Sequence, residues 1–514
     1  MPGMKKGANM QVKEKLLKRA LISVYYKDDI EIIAKKLQNN GWEIVSTGGT
    51  AKYLEENNIK VIGVSDLTKF PKILDGRVKT IHPLIFGPIL AKKSKKHIEQ
   101  LEKIKAFKID LVIVNFYPFE DALDKKEKGL DFMIENIDIG GPSMVRAAAK
   151  NYKDTIVIID KKDYLPVVEN LVINGDIDIE KRKELAQKAF SYTSFYDSLI
   201  ADYLLEDNQK KPDFINISGR KHLDLRYGEN PHQKASLYIR DKNSPLFNFN
   251  KLQGKKLSFN NILDLSMVYE VINNFDKSKN FSVIVKHQNP CGAAISNSQK
   301  GAFEKALFCD PKSAFGGIVG FNKPLDKETA EKMSKIFFEV IIAPDYDKEA
   351  LKILNKKKNL RIIKITMDYI ENRDIKTIPG GFLLQEKDNI RTDYDKFDLK
   401  TSRALKPNEK DDVEFGWKLI KFVKSNGIII VKNKMLIGVG AGQMSRVDSV
   451  EIAIKKSQFP LEGSTLLSDA FFPFADSIEI AVKHKIAAVV EPGGSIRDEE
   501  VIKEAEKNKI SLLF

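Results

Sequence analysis

Between residues 20 and 160 the chain alternates strand-length apolar runs with helix-length polar segments, and that order leaves few folds open. Residues 20–24 read as a strand, and Asp28 as the cap of a helix reaching Asn40 and Gly41. Residues 43–46 are the next strand, and Thr47-Gly48-Gly49-Thr50 opens a second helix. Residues 60–64, 111–114 and 155–160 continue the β series. Parallel neighbours need a crossover and helices supply it, so the alternation predicts a mostly parallel sheet with helices on both faces. Residues 179–206 form a long amphipathic helical stretch without turn signals, expected to bridge to a second region.

From about residue 215 polar loops and glycine pairs precede the strands more often. Residues 282–285, 317–321, 360–365, 427–431, 435–439, 486–490 and 510–513 are strand candidates, with helices between them. Twice a strand runs into a Gly- or Pro-rich turn and then a helix, which predicts two α/β subdomains of similar plan without a clean repeat period. Residues 387–414 are the most polar stretch and are expected to be a surface excursion. The domain map is a basic tail over 1–17, an α/β domain over 18–160, a helical bridge over 161–214 and the paired subdomains over 215–514.

Composition narrows the function classes. No run of about 18 uncharged apolar residues exists, and Met1 to Lys18 lacks the apolar core of a signal peptide, so a cytoplasmic protein without membrane contact is expected. Cys291 and Cys309 are too few for a disulfide framework, and no Cys/His cluster offers a zinc site. The net charge is +14, but its lysines are scattered among 71 acidic residues, which argues against nucleic acid and favours attraction of small anionic metabolites.

Several motifs carry chemistry. The apolar run 281–285 stops abruptly at Lys286-His287-Gln288-Asn289-Pro290-Cys291-Gly292, a strand leading into a tight turn with a cation beside an imidazole. Such a pair can supply charge stabilisation and proton transfer. Thr47-Gly48-Gly49-Thr50 suits a phosphate, because glycines let backbone N–H groups approach an anion at a helix N-terminus. Asp75-Gly76-Arg77-Val78-Lys79-Thr80-Ile81-His82-Pro83 adds two cations on one face of an extended segment. No P-loop is present, and Gln443 breaks the dinucleotide fingerprint suggested by Gly438, Gly440 and Gly442. A zinc deaminase is disfavoured too, since Ala294 and Asn289 stand where its second cysteine and its glutamate belong.

Longer motifs identify a family. STGGTAKYL, DGRVKTIHP, VNFYPFE and NIDIGGPSMVRAAAKNY resemble the inosine monophosphate (IMP) cyclohydrolase domain of the bifunctional purine enzymes. LRYGENPHQ, LSFNNILDL, VKHQNPCGAA, DPKSAFGGIVGFN, IIAPDY, GVGAGQMSRVDS, SDAFFPFADSIE and EPGGSIRDEE resemble their AICAR transformylase domain. The resemblance runs from about Lys18 to Phe514. It implies a methylglyoxal-synthase-like N-terminal domain, two deaminase-like α/β subdomains without zinc, and a homodimer.

The resemblance also implies roles. In formyl transfer from 10-formyltetrahydrofolate to AICAR, His287 is the general base, Lys286 stabilises charge near the folate N10, and Asn426 polarises the formyl oxygen. Arg226, Tyr227, His232, Asn261 and Arg446 hold the nucleotide, while Phe315, Phe472 and Asp476 line the aminoimidazole and folate surfaces. In closure of formyl-AICAR to IMP, Lys79 lies near the carbonyl oxygen, and Tyr117, Asp138 and Lys150 orient and move protons. Thr47, Gly48, Gly49, Thr50, Arg77 and Thr80 surround the phosphate, and Asp138 before two glycines suits a helix N-terminus where it orients Lys150. The folate is a cosubstrate; the chemistry needs no metal, and a bound monovalent cation is compatible with it.

Two departures from the family pattern stand out. Ser23-Val24-Tyr25-Tyr26-Lys27-Asp28-Asp29 replaces S-V-S-D-K-T-G, and Leu84-Ile85-Phe86-Gly87-Pro88 replaces K-V-H-G-G. Two acids thus crowd a site meant for an anion, unless Asp28 is a helix cap. A transformylase with a degraded cyclohydrolase site, and a basic RNA-associated protein that kept the fold, remain the alternatives.

Overall fold

The computed structural model describes residues 18–71, 73–205, 212–366, 369–390, 392 and 394–514; the basic tail expected over 1–17 lies outside them. Two compact units meet in the sequence between Ser218 and Gly219.

In the first unit β1 (Lys18–Ser23), β2 (Trp42–Ser46), β3 (Val61–Gly63), β4 (Leu111–Val114) and β5 (Ile156–Ile158) build an entirely parallel sheet in the order β3-β2-β1-β4-β5. The predicted alternation is borne out. All four β4 residues are buried, as a strand covered on both faces requires. The chain winds outward from β1 through β2 and β3, then returns to β4 on its other side, so the strand order reverses between β1 and β4. Ligands bind at such a reversal, beyond the carboxyl ends of the strands.

Helix Ile179–Leu204, expected to bridge to a second region, packs on the first unit. Leu185, Ala186, Ala189, Phe195, Tyr196 and Leu199 pack into the first core. Each large apolar side chain buried there contributes about 1.5–3 kcal/mol.

The second unit opens with a hairpin, β6 (Arg220–Asp224) and β7 (Ser236–Ile239). One sheet then dominates. It contains β8 (Asn250–Gln253), β9 (Asn280–Lys286), β10 (Asn289–Ser296), β11 (Ile318–Phe321), β12 (Val340–Ala343) and β13 (Arg361–Lys364). Beyond an exposed hairpin, β14 (Arg373–Ile378) and β15 (Gly381–Glu386), it is completed by β16 (Ile428–Lys432), β17 (Met435–Gly440), β18 (Thr465–Ser468), β19 (Ala488–Val490) and β20 (Ser511–Leu513).

The order β20-β19-β18-β16-β17-β10-β9-β11-β12-β13-β8 reads the same outward from the β17–β10 junction, with β8 added at one end. Each half has an antiparallel hairpin, an antiparallel third strand and two parallel ones. These are the two subdomains of similar plan, fused edge to edge where Ala294 pairs with Met435.

Sequence pattern does not predict β10, because Asn289-Pro290-Cys291-Gly292 reads as a turn that ends the strand. Pro290 is accommodated beside a register shift, and Gly292 is required because a Cβ there would lie 1.9 Å from the Ala306 carbonyl oxygen. The polar stretch 387–414 is only partly superficial. Its end enters helix Pro407–Ile420, where Glu409 and Asp412 are buried. Arg403 forks onto Glu409 at 2.7 and 3.1 Å, which makes that burial tolerable.

Candidate active sites

The first site forms at the carboxyl edge of the parallel sheet. Thr47 caps helix Gly48–Glu56 in extended backbone, Gly48 adopts φ +57°, and the space where Gly48 and Gly49 would carry a Cβ is open. The helix N-terminus expected to receive an anion is thus sterically open, but Thr50 is turned away from it. Thr50 is buried, and its hydroxyl accepts the Val24 N–H at 3.0 Å and donates to the Val24 carbonyl at 2.8 Å, so it closes the end of β1 and does not face a phosphate.

The departing segment has its own arrangement. Tyr25 and Tyr26 donate their N–H groups to Asn115 Oδ1, and the Lys27 ammonium is held by the carbonyls of Val24 and Tyr25. Helix Ile30–Asn39 begins after Asp29, with φ 61° and no side-chain cap, so the expectation that Asp28 caps it is corrected. Asp29 pairs with Lys161 at 3.0 Å. The ring of Tyr25 meets Tyr117 edge-on at 5.7 Å, joining the end of β1 to the segment after β4.

Asp138 is the centre of this site. Its carboxylate accepts the N–H of Gly141 at 2.9 Å and of Tyr117 at 3.3 Å, and its own N–H donates to the Tyr196 hydroxyl at 2.9 Å. Burial pushes its carboxyl up from the ordinary value, and those N–H groups and the Lys79 charge pull it back. Burial also raises the Tyr117 hydroxyl, with the Asp138 charge adding to it. Lys79 lies across Gly76, where φ is +90° and a Cβ would be 3.1 Å from its Nζ; Thr80 packs on Gly140 at the start of helix Gly140–Lys150. Arg77 is ion-paired with Glu135. Lys150 closes the same helix, about 15 Å from its N-terminus at 1.5 Å per residue. Within one chain Asp138 therefore does not orient Lys150.

The second site is built on the β9–β10 hairpin. His287 and Gln288 form its two-residue loop, both left-handed at φ 52° and 56°. Non-glycine residues there cost about 1–2 kcal/mol each. The Asp264 carboxylate, on helix Phe259–Asn273, accepts the N–H of His287 at 3.1 Å and of Gln288 at 2.7 Å. Hydrogen bonds to a charged group contribute about 1.5–3 kcal/mol each, enough to hold the loop. Lys286 donates from Nζ to the Phe315 carbonyl at 2.7 Å. Asn289 donates to the His287 carbonyl at 3.2 Å and accepts the Lys424 N–H at 3.0 Å, tying the loop to the segment that carries Asn426.

Around this loop the expected residues divide. The backbone N–H of Arg226 binds Leu257, and the Tyr227 carbonyl accepts from Phe259, which seats the 226–232 loop against the start of the Asp264 helix. Asn261 there completes a capping box with Ser258. His232 and Phe315 are exposed, and Asp476 opens helix Asp476–Lys483.

Two expectations are corrected. Arg446 is a part-buried cation already held by protein partners: it binds Asp469 at 2.5 Å, Ser468 Oγ at 2.8 Å and Asn426 Oδ1 at 2.7 Å. Phe472 is wholly buried and lines no accessible surface; the exposed rings are its neighbours Phe471 and Phe474. Asn426 also donates to the carbonyls of Gln443 at 3.0 Å and Met444 at 3.3 Å.

Asp264 and Asp469 are not distinguished by the sequence. Asp264 sits inside the motif LSFNNILDL, but what distinguishes it is contact with a turn 23 residues later. Among the described residues no group of three His, Cys, Asp or Glu side chains could hold a metal ion, and no helix is long and apolar enough to cross a membrane.

Comparison with known proteins matches both parts of the chain to one family. Residues 148–456 match the AICARFT/IMPCHase bienzyme family and residues 29–143 the MGS-like domain. A bifunctional purine biosynthesis protein PurH of Caldicellulosiruptor saccharolyticus is 47% identical over 508 residues, 97% of this chain and 98% of its own length. Proteins of the same name from Thermoanaerobacter sp. and Persephonella marina are each 46% identical over 97% of this chain and 98% of theirs. Nothing in these matches supports a degraded cyclohydrolase or an RNA-associated protein. The chain belongs to the AICARFT/IMPCHase bienzyme family and is a bifunctional enzyme of purine biosynthesis, an AICAR formyltransferase and IMP cyclohydrolase.

Proposed function

We propose that the second unit carries formyl transfer and the first carries ring closure, with 10-formyltetrahydrofolate as the formyl donor. The 5-amino group of AICAR is a weak nucleophile, so its proton must leave as it attacks the formyl carbon, and the resulting oxyanion must be stabilised before N10 departs. His287 takes the proton, assisted by the substrate's carboxamide. Lys286, adjacent to it, offers positive charge near N10, and its present contact with the Phe315 carbonyl is replaceable. Asn426 polarises the formyl oxygen by exchanging its longer contact, the 3.3 Å bond to Met444. Arg226, Tyr227, His232 and Asn261 bind the nucleotide, and Phe315 and Asp476 face the aminoimidazole and the folate. The observation that carries this reading is the clamped left-handed loop presenting His287 beside Lys286.

In ring closure the carboxamide nitrogen attacks the new formyl carbon and water leaves. Lys79 stabilises the oxygen, Asp138 and Tyr117 move and orient protons, and Thr47, Gly48, Gly49, Arg77 and Thr80 receive the phosphate. Lys150 serves this step only if a second copy brings it to the site. A homodimer in the cytoplasm is the working form, and a monovalent cation is compatible with it. Sedimentation over a concentration range with activity measured in parallel checks the assembly; a fully active monomer would rule it out.

The functional test supplies AICAR and 10-formyltetrahydrofolate and resolves formyl-AICAR from IMP. His287→Ala should lower formyl transfer by roughly 10²–10⁴-fold while cyclisation of supplied formyl-AICAR persists. Undiminished transfer would remove His287 from its role.

A further inference from the structure

We propose that Asp264 is a positioning residue for formyl transfer: by accepting the successive N–H groups of His287 and Gln288, it fixes the loop that aims the imidazole. The proposal rests on His287 being the base. A two-residue hairpin loop with both residues at positive φ usually takes Asn-Gly or Gly-Gly, because a Cβ disfavours that backbone. Here it holds His and Gln, both carrying the Cβ that disfavours it. The loop therefore needs an acceptor from outside the hairpin, and the Asp264 helix supplies a fixed anionic one.

The other half of the sheet contains the same device. Asp412, on helix Pro407–Ile420, accepts the N–H of Asn433 at 2.9 Å and of Lys434 at 2.6 Å, both at φ 54°, in the loop between β16 and β17. The carboxylate precedes its loop by 21 residues there and by 23 at His287. Only one of the two clamped loops carries an imidazole. Asp412 is fully buried, whereas Asp264 is half-buried behind an exposed His287. The Asp412 clamp thus separates what such a clamp does for folding from what it does for chemistry.

A base a fraction of an ångström out of place loses much of its rate, since proton transfer needs hydrogen-bond contact in the transition state. Without Asp264 the imidazole would remain but the loop would relax, and the Asn289 tie to the Asn426 segment would loosen with it.

The test compares Asp264→Ala, Asp264→Asn and Asp412→Ala in the full chain, measuring both activities, the KM for AICAR and thermal stability. Asp264→Ala should lower formyl-transfer kcat about 10- to 100-fold, leave the KM for AICAR within about threefold, and leave cyclisation of supplied formyl-AICAR unchanged. Asp264→Asn, which keeps one acceptor oxygen, should fall between it and the parent. Asp412→Ala should lose stability but retain formyl-transfer kcat per folded molecule. Parent-level kcat in Asp264→Ala overturns the proposal, as does activity lost by both alanine variants only in proportion to unfolded protein. If Asp264→Ala does not fold, Asp264→Asn decides alone, and parent-level kcat in it overturns the proposal. Full transfer by His287→Ala would instead sink the base assignment and the proposal together.

Discussion

Arg446 meets Asp469, Ser468 and Asn426 inside the protein, so its charge is already neutralised where a phosphate was expected to do so. Removing one partner of a buried ion pair costs about 3–5 kcal/mol, because the other charge stays buried. Arg446→Ala should therefore lower the unfolding midpoint sharply and leave the KM for AICAR in the folded enzyme near the parent value. A raised KM at unchanged stability would return Arg446 to the phosphate. Glu491 is a second residue with a measurable consequence. Its burial pushes the carboxyl up to about 8, the Asp498 charge pushes the same way, and the Phe472 N–H and Arg446 oppose them. The folded state keeps a proton that the unfolded chain releases near the ordinary value of 4.5, so this group's contribution to stability falls as pH rises through that window and is lost above about 8. Urea unfolding of the parent should lose about 2 kcal/mol more than Glu491→Gln between pH 6 and pH 8.5. Equal slopes would show that Glu491 is ionised in the folded state.

At the scale of elements, two glycines set how closely helices approach the central hairpins. A Cβ on Gly292 would meet the Ala306 carbonyl oxygen at 1.9 Å, and a Cβ on Gly440 would meet that of Ser449 at 1.9 Å. Backbone cannot yield as a flexible side chain would, so Gly292→Ala and Gly440→Ala should each cost about 3 kcal/mol or more, read from denaturant unfolding. Gly442→Ala offers a contrast: no atom crowds its Cβ, and only the backbone strain of φ +70° opposes it. If all three variants lose equally, close packing is not what these glycines provide. The same elements explain a limit of sequence reading. Gly292 and Pro290 look like the end of a structured segment, whereas they begin β10 and shape its contact with helix Gln299–Cys309.

At the scale of the molecule, both units bring their candidate site residues to strand ends, but by different means. The first uses the reversal of a parallel sheet, and the second uses a hairpin loop clamped by a preceding helix. In the second unit the repeated plan was legible only as similar texture, because the halves share topology and loop geometry more than residue types. His-Gln in one loop corresponds to Asn-Lys in the other. A shared backbone conformation leaves no period in the letters.

What the sequence determined by itself was whatever depends on neighbours along the chain. The β1–β5 alternation, the glycines that open helix Gly48–Glu56, and the Lys286-His287 strand end follow from local pattern and backbone chemistry. Tertiary structure decided what depends on partners far away. It turned Thr50, Arg446 and Phe472 inward, put Lys150 at the far end of the helix that starts beside Asp138, and brought helix Ile179–Leu204 into the first core. It also brought Asp264 under the His287 loop. A side chain's type announces what it can do, but its burial and its hydrogen-bond partners are set by packing, and packing joins residues that the sequence separates.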